Sequence, residues 1–280
     1  MLLAIMSTLV QDVSSFSTSL EAAPQRPSAQ EVLRRVMILT HIHRKGASSP
    51  PEEVLTRLAQ KWAEDDREKF AASMQALLRT QQNRVRDAGL WNSLEESELQ
   101  FMETGAIEVS MRQRIDSTWV IESIGCLCWA LGFLRRLPPY DQQSGKEAVA
   151  FPQGEQAATL LENAQLRFPS EIDRQRDWAE LWHWRARTHM LLMSGENPPG
   201  LPEGARLTEI LRLAAIGAAG DGVFDAPIGN DFPAFGKPYR EVDREQMSLL
   251  LSIARERHKA FNWLCGFSPG NRWSDTPTDT

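Results

Sequence analysis

The sequence predicts an all-α fold, an irregular multi-helix bundle with a long loop rich in glycine and proline. Apolar residues recur every three or four positions along most of the chain, which is the spacing of one face of a helix. No segment alternates apolar and polar residues over the length of a strand, so we expect any sheet to be minor. Helix-start signals, such as the capping box of Ser28 and Glu31, precede several apolar stripes.

The order of the elements follows from these signals. Residues 1–27 are expected to be a disordered leader, because they mix Ser, Thr, Pro and Gln without sustained periodicity. A single helical domain, residues 28–280, is expected to follow, with a possible subdomain boundary in the polar connection at 140–156. The predicted helices are 28–42, one opened by Ser49-Pro-Pro-Glu52, 70–85, one beginning at Ser93, 110–137, 157–167, 170–193, 204–218 and 241–265.

Two segments of this chain stand apart from the amphipathic pattern. Trp119–Leu134 is apolar nearly all round, but it is shorter than the roughly 20 apolar residues of a membrane-spanning helix, so it predicts a buried central helix. Pro138-Pro139 cannot continue that helix. Gly220–Pro238 is too rich in glycine and proline for regular structure and is expected to be a long loop, a kind of segment that often carries function.

Composition excludes several classes of function. Lys and Arg number 31 against 37 Asp and Glu, giving a formal net charge of -6, so nothing supplies the phosphate attraction of a nucleic-acid-binding protein. The three cysteines are too few for a disulfide framework and lack zinc-site spacing. The apolar start lacks a basic segment and a cleavage site typical of a signal peptide. We therefore expect a cytoplasmic protein with no nucleic-acid or membrane partner.

Motifs of common enzyme and cofactor sites are also missing. The chain has no nucleophile elbow, P-loop, dinucleotide fingerprint, HExxH or calcium loop, so no cofactor is expected. Glu180 and His183 have the Glu-x-x-His spacing of di-iron bundles, but the second copy that such a site needs is missing, and no metal is expected. Asp173, Asp177 and Glu180 form an acidic row, interpreted as a solvated helix face; a site for a cation or a basic partner is the alternative.

His258 and the tryptophans are the other candidates for chemistry or recognition. His258 lies on the apolar stripe of the last helix, where a hydrogen-bonded core histidine is the first interpretation and a catalytic base the second. Nine tryptophans is a high number, and several adjoin charged residues. Most are interpreted as core residues, although tryptophan beside arginine also suits a recognition surface.

The C-terminal part of the chain resembles a known family. The blocks that carry the likeness are Arg255–Leu264, Arg272-Trp-Ser-Asp275, Thr278–Thr280, Trp119 with Trp129–Gly132, Leu166–Ile172 leading to Asp177 and Trp182, and Asp231–Tyr239. Over about residues 30–280 the sequence resembles the domain of unknown function 4272 family. One departure is Ser274, where an acidic residue is expected directly after the tryptophan. The resemblance implies a helical, mainly bacterial, cytoplasmic protein, and it supplies no activity.

A functional hypothesis follows from these observations. Because the resemblance extends to the last residue, we expect the C-terminal tail to be ordered and to dock near the 231 loop and the last helix. The candidate site is then Asp231, Arg257, His258, Asn262, Trp263, Trp273, Asp275 and Asp279, with Asp173, Asp177, Glu180 and His183 as a secondary face. The favoured function is a non-catalytic adaptor or immunity-like protein whose acidic surface binds a basic protein partner. The alternative is a metal-dependent or acid/base hydrolase built on the first set.

Docking of the tail leads to a first prediction. Deleting residues 271–280 is expected to lower the melting temperature or to weaken partner binding, because a docked tail makes contacts that a frayed tail does not. Thermal unfolding of the full-length and shortened chains measures the effect. An unchanged melting temperature together with unchanged partners would contradict docking.

Overall fold

The computed structural model describes residues 25–149, 159, 163–196 and 206–279, and it confirms the all-α prediction. Within these residues the sheet consists of two short antiparallel strands, β1 (Pro233–Ala234) and β2 (Lys237–Pro238). The predicted leader, apart from residues 25–27, and most of the predicted helix at 157–167 lie outside the described residues. The helices are α1 Ala29–Ser48, α2 Glu52–Lys61, α3 Glu64–Asp87, α4 Glu96–Glu103, α5 Met111–Ala130, α6 Pro169–Ser194, α7 Leu207–Gly220 and α8 Arg244–Leu264.

Capping boxes begin three of the long helices. The Ser28 hydroxyl accepts a hydrogen bond from the backbone N–H of Glu31 at the start of α1, and the Glu31 carboxylate accepts from the N–H of Ser28. Ser110 opens α5 in the same way, and Asp243 opens α8. Each box satisfies backbone N–H groups that the first helical turn leaves without a partner.

Two predicted helix starts were wrong. Ser49 does not open α2, because its hydroxyl donates to the carbonyl of Lys45 and so serves the end of α1. Ser93 does not open α4 either; it lies in a separate 3₁₀ turn, and Glu95 caps the helix instead. At Ser49 a carbonyl at the end of the preceding helix takes the hydroxyl, whereas Ser93 is held in the preceding turn by its backbone N–H, which donates to the Leu90 carbonyl.

The central helix also ends earlier than predicted. α5 stops at Ala130 and not at 137, because Gly132 adopts a left-handed conformation with φ 78°. The Gly132 N–H then donates to the carbonyl of Trp129, and the Phe133 N–H donates to that of Cys128. This pair of bonds satisfies the last carbonyls of the helix, as a glycine-terminated helix end does.

α5 occupies the centre of the structure. It packs along α1 and α8, and α8 also packs along α6. Every residue from Ile121 to Ala130 is buried, which confirms the prediction of a core helix for this apolar segment. Among the described residues, no helix is long and apolar enough to cross a membrane. A second cluster of buried side chains joins α6, α7, α8 and the loop before α8, and includes Trp182, Ala214, Ala215, Ala218, Phe232, Tyr239 and Leu250.

A buried ion pair links α5 to α8. The guanidinium of Arg257 donates to the carboxylate of Glu122 at 2.9 Å, and neither side chain is exposed. Arg257 also donates to the carbonyls of Pro138 and Gln142, while Glu122 accepts from the N–H and hydroxyl of Ser144. The pair therefore fixes the connection that follows α5 as well as the two helices.

Replacing Arg257 by methionine is expected to cost about 3–5 kcal/mol of unfolding free energy, because it leaves the Glu122 carboxylate buried without a counter-charge. The double variant R257M/E122Q should recover part of this loss, since it removes the buried charge. Urea unfolding measures both. The matched control is Arg255→Met on the exposed side of the same helix. A loss from R257M as small as that from R255M would contradict the assigned role.

Candidate functional site

Asp231 is a buried anchor of the long loop. Its carboxylate accepts two hydrogen bonds from the guanidinium of Arg185, at 2.8 and 2.7 Å, and further bonds from the backbone N–H groups of Phe232 and Arg240. Burial alone would raise the pKa of Asp231, but the charge and hydrogen bonds of Arg185 hold it below its ordinary value. This carboxylate is committed to holding the loop on α6.

The tail docks on the last helix as predicted, where Asn262 donates to the Pro277 carbonyl, but the expected contacts with Arg257 and Asp231 were wrong. The Trp273 ring packs edge-on against Trp263, 5.5 Å between centroids, and Arg35 lies over its face. The Glu95 carboxylate accepts hydrogen bonds from the backbone N–H groups of Trp273 and Ser274. The tail is ordered as predicted, but it docks against α1, α8 and the start of α4. Sequence spacing gives no information on this choice.

Asp275 and Asp279 lie at the surface. Asp275 pairs with Arg272 at 3.3 Å within the tail itself. Both are exposed, whereas Asp231 is held inside by Arg185. The three carboxylates expected to converge in a hydrolytic site are therefore not brought together.

His258 does meet another predicted residue, His183 of the secondary face. Their Nδ1 atoms lie 3.1 Å apart, and both rings are buried. The Asn262 side chain fixes which nitrogen carries the proton. Its Oδ1 accepts from Arg176, so its Nδ2 is the donor, to the Pro277 carbonyl and to Nε2 of His258. Nε2 of His258 is thus an acceptor, and its Nδ1–H donates to Nδ1 of His183.

This arrangement keeps both imidazoles neutral. Burial lowers the pKa of His258 to about 3, assisted by His183 and Arg176. Burial likewise lowers the pKa of His183 to about 4, with Arg187 and Arg255 contributing. A protonated His258 would turn an N–H toward the amide donor of Asn262 and lose that bond. The pair is therefore a satisfied core contact between α6 and α8, as the first interpretation of His258 expected.

The acidic row of α6 forms a half-buried face whose carboxylates pair with two arginines. Arg176 contacts Glu180 at 2.7 Å and Asp177 at 3.3 Å, while Asp173 pairs with Arg26 at 2.5 Å. Burial raises the pKa of Asp177 and of Glu180, and the charge of Arg176 opposes it. Among the described residues, no group of three or more His, Cys, Asp or Glu side chains is placed to hold a metal ion.

An open groove between α5 and α8 was missed by the sequence reasoning. It has a volume of about 680 Å³. Its lining comes from the first halves of both helices and from the tip of the β1–β2 hairpin: Ile115, Trp119, Phe235, Asp243, Glu245, Gln246, Ser248, Leu249 and Ser252. Farther along, the helices close against each other, where Ser123 donates to the Glu256 carbonyl and Trp129 contacts Phe261.

The groove combines apolar side chains with acidic charge. Ile115 is 44% exposed, and Trp119 and Leu249 are half-buried. Met111, one turn before Ile115 on α5, is 48% exposed and lies outside the lining. The charged residues that line it are Asp243 and Glu245, both acidic. Met111, Ile115 and Trp119 recur at intervals of four and lead into the apolar segment that begins at Trp119. This spacing was the signal in the sequence that could have indicated a second apolar face on α5.

Comparison with known proteins places the chain in a family. The family model described as Domain of unknown function (DUF4272) matches residues 15–206, which is more than half of the sequence. The chain belongs to the DUF4272 family. In this DUF4272 protein the matched range contains α1 to α6, so it includes the α5 wall of the groove and ends before the α8 wall. Searches of curated proteins and of solved structures found no match.

The histidine pair of this DUF4272 chain gives a pH prediction. Because the folded pKa values lie below the ordinary value of about 6.5, the unfolded chain binds more protons from that value down to about 4 for His183 and to about 3 for His258. Stability should be complete above pH 6.5 and should fall as the pH drops through this window, by up to about 1.4 kcal/mol per pH unit for each ring.

Nuclear magnetic resonance of the histidine rings measures the cause directly. The ring signals of His183 and His258 should stay at their neutral positions down to about pH 5, while those of the urea-unfolded chain titrate near the ordinary value of about 6.5. Titration of either ring near pH 6.5 in the folded protein would contradict the assignment.

Proposed function

We propose that this chain is a non-catalytic protein-interaction module of the bacterial cytoplasm, and that the groove between α5 and α8 binds a basic amphipathic helix of a protein partner. The observation that carries the proposal is the open groove itself, in which the exposed Ile115 and half-buried apolar side chains are accompanied by acidic residues. The proposal narrows the expected basic partner to one that binds at this groove.

The apolar lining supports binding of a helix by its apolar face. Ile115 and Trp119 lie one turn apart on α5, and Leu249 faces them from α8. An amphipathic helix presents apolar side chains at three- and four-residue intervals, which match walls built from two helices. A volume of about 680 Å³ accepts several such side chains, while the backbone of the bound helix remains outside.

Charge favours a basic partner. Asp243 is the N-cap of α8 and Glu245 lies in its first turn; both line the groove, and Lys or Arg residues are not among the side chains that line it. The whole chain has a formal net charge of -6, which adds attraction at longer range. Such complementarity increases the association rate and selects against acidic competitors, and salt should weaken it.

The hydrolase alternative lacks a supporting observation. Asp231 and Arg257 are each committed to a buried partner, and Asp275 and Asp279 lie at the surface. His258 is held neutral, with one ring nitrogen accepting from Asn262 and the other donating to His183. The described residues of that set therefore give no nucleophile and base within reach of each other.

Binding of a designed peptide tests the proposal. The probe is a fluorescein-labelled helical peptide of leucine and lysine with the leucines on one face, and its partner probe carries glutamate in place of lysine. We expect the lysine peptide to bind the full-length chain more tightly, as measured by fluorescence anisotropy. Ile115→Glu should weaken this binding by at least about tenfold, since it places a charge in the apolar contact. Glu245→Gln should weaken it less, and mainly at low salt.

Matched controls lie on α7, outside the groove. Ile216→Glu makes the same change at a residue 47% exposed, and Glu209→Gln changes a first-turn glutamate as Glu245→Gln does. Both control variants should bind like the unsubstituted chain. Equal binding of the two peptides, or equal losses in Ile115→Glu and Ile216→Glu, would overturn the proposal.

A further inference from the structure

The long loop contains two hairpin turns of the same type but of different composition. Gly229 and Asn230 connect the bridge between Ile228 and Asp231, and both have positive φ, 55° and 63°. Phe235 and Gly236 connect β1 to β2, and their φ values are also positive, 53° and 72°. Two positive φ angles in a two-residue loop are the pattern of a type I′ turn, which favours Asn, Asp and Gly.

Phe235 is therefore out of place for the turn that it occupies. A non-glycine side chain in the left-handed region brings its β-carbon close to the following carbonyl, and Asn tolerates this better than a bulky residue. The first turn uses Gly-Asn, so the same loop contains the favoured solution. The Asp141 carboxylate accepts a hydrogen bond of 2.8 Å from the N–H of Phe235 and holds the turn from outside.

The side chain of Phe235 extends the turn into the lining of the groove. It is half-buried, it packs at the margin of the cluster around Trp182, and it lines the groove beside Trp119 and Leu249. Backbone strain of this kind persists where the surroundings impose it, and it is concentrated at ligand clamps and active sites. The strained backbone, the hydrogen bond to Asp141 and the ring that lines the groove thus all belong to Phe235.

We infer that Phe235 is a partner-contacting residue of the groove, kept at a turn position that favours asparagine because its ring packs against an apolar side chain of the bound helix. This inference rests on the proposed function. The hairpin tip is then a third wall of the groove, beside the walls formed by α5 and α8. Partners with a large apolar side chain at that point are favoured over partners with alanine there.

Two substitutions separate binding from folding. Phe235→Asn and Phe235→Ala both remove the ring, but only asparagine suits the left-handed backbone. Each variant is expected to bind the leucine–lysine peptide about tenfold more weakly than the unsubstituted chain. Phe235→Asn should melt higher than Phe235→Ala, and within about 4 °C of the unsubstituted chain. Anisotropy and thermal unfolding of the full-length proteins give the two readouts.

The outcomes distinguish this inference from the proposed function. Failure of the unsubstituted chain to bind the peptide, or binding that Ile115→Glu leaves unchanged, overturns both. Binding that is lost in Ile115→Glu and retained in Phe235→Asn overturns the role of Phe235 alone. A melting temperature of Phe235→Asn at or below that of Phe235→Ala overturns the assignment of strain. Loss of peptide binding in both Phe235 variants, with asparagine the more stable, supports the inference.

Discussion

The ion pair between Arg257 and Glu122 is the contact on which the arrangement of the molecule depends. It joins α5 to α8, and it also holds the connection after α5 through carbonyls of Pro138 and Gln142. Two buried charges are costly unless every hydrogen-bonding position is used, and here both groups have additional partners. Because the contact joins the later parts of the helices, their first halves are left to form the walls of an open groove.

A second buried pair, Arg185 with Asp231, performs the same task for the loop before α8, and an aromatic series connects the two pairs. Arg257 lies over the Tyr140 ring, Tyr140 stacks on Trp182 at 5.0 Å, and Arg185 lies over Tyr239 beside that tryptophan. The loop is therefore fixed by polar contacts at Asp231 and by ring packing. A hairpin tip mounted on so rigid a base can hold Phe235 in an unfavourable backbone conformation, whereas a loosely attached loop would relax.

The helices were predictable from the sequence because periodicity and capping boxes are local, as at Ser28 and Ser110. The residues at which helices begin and end were less predictable. Ser49 and Ser93 belong to the turn before the helix that they were expected to begin, and Gly132 ends α5 through its left-handed backbone, which apolar periodicity does not indicate. The resemblance pointed to Arg257, His258, Asn262 and Trp273, all of which are buried and hydrogen-bonded or ring-packed. Their partners Glu122, His183 and Glu95 lie far away in the chain, and one sequence does not show which of many acidic or aromatic residues will be nearest. Only part of the predicted candidate site therefore comes together in the structure: His258 contacts Asn262 and Trp263 contacts Trp273, while Asp231 lies apart.

The groove has to be distinguished from features that the fold needs for its own stability. Asp243 caps α8, and an acidic Glu245 in the first turn suits the helix dipole, so their charges have a structural explanation without any partner. Among the apolar lining residues, Ile115 leaves its side chain 44% exposed, and Phe235 occupies a turn that favours asparagine while its ring packs at the margin of the cluster around Trp182. Exposed apolar side chains such as Ile216 also occur away from the groove, so Ile115 is informative because it lies together with Trp119 and Leu249 in one groove. The grouping of apolar residues, more than the acidic charges, is thus what supports the proposed binding surface.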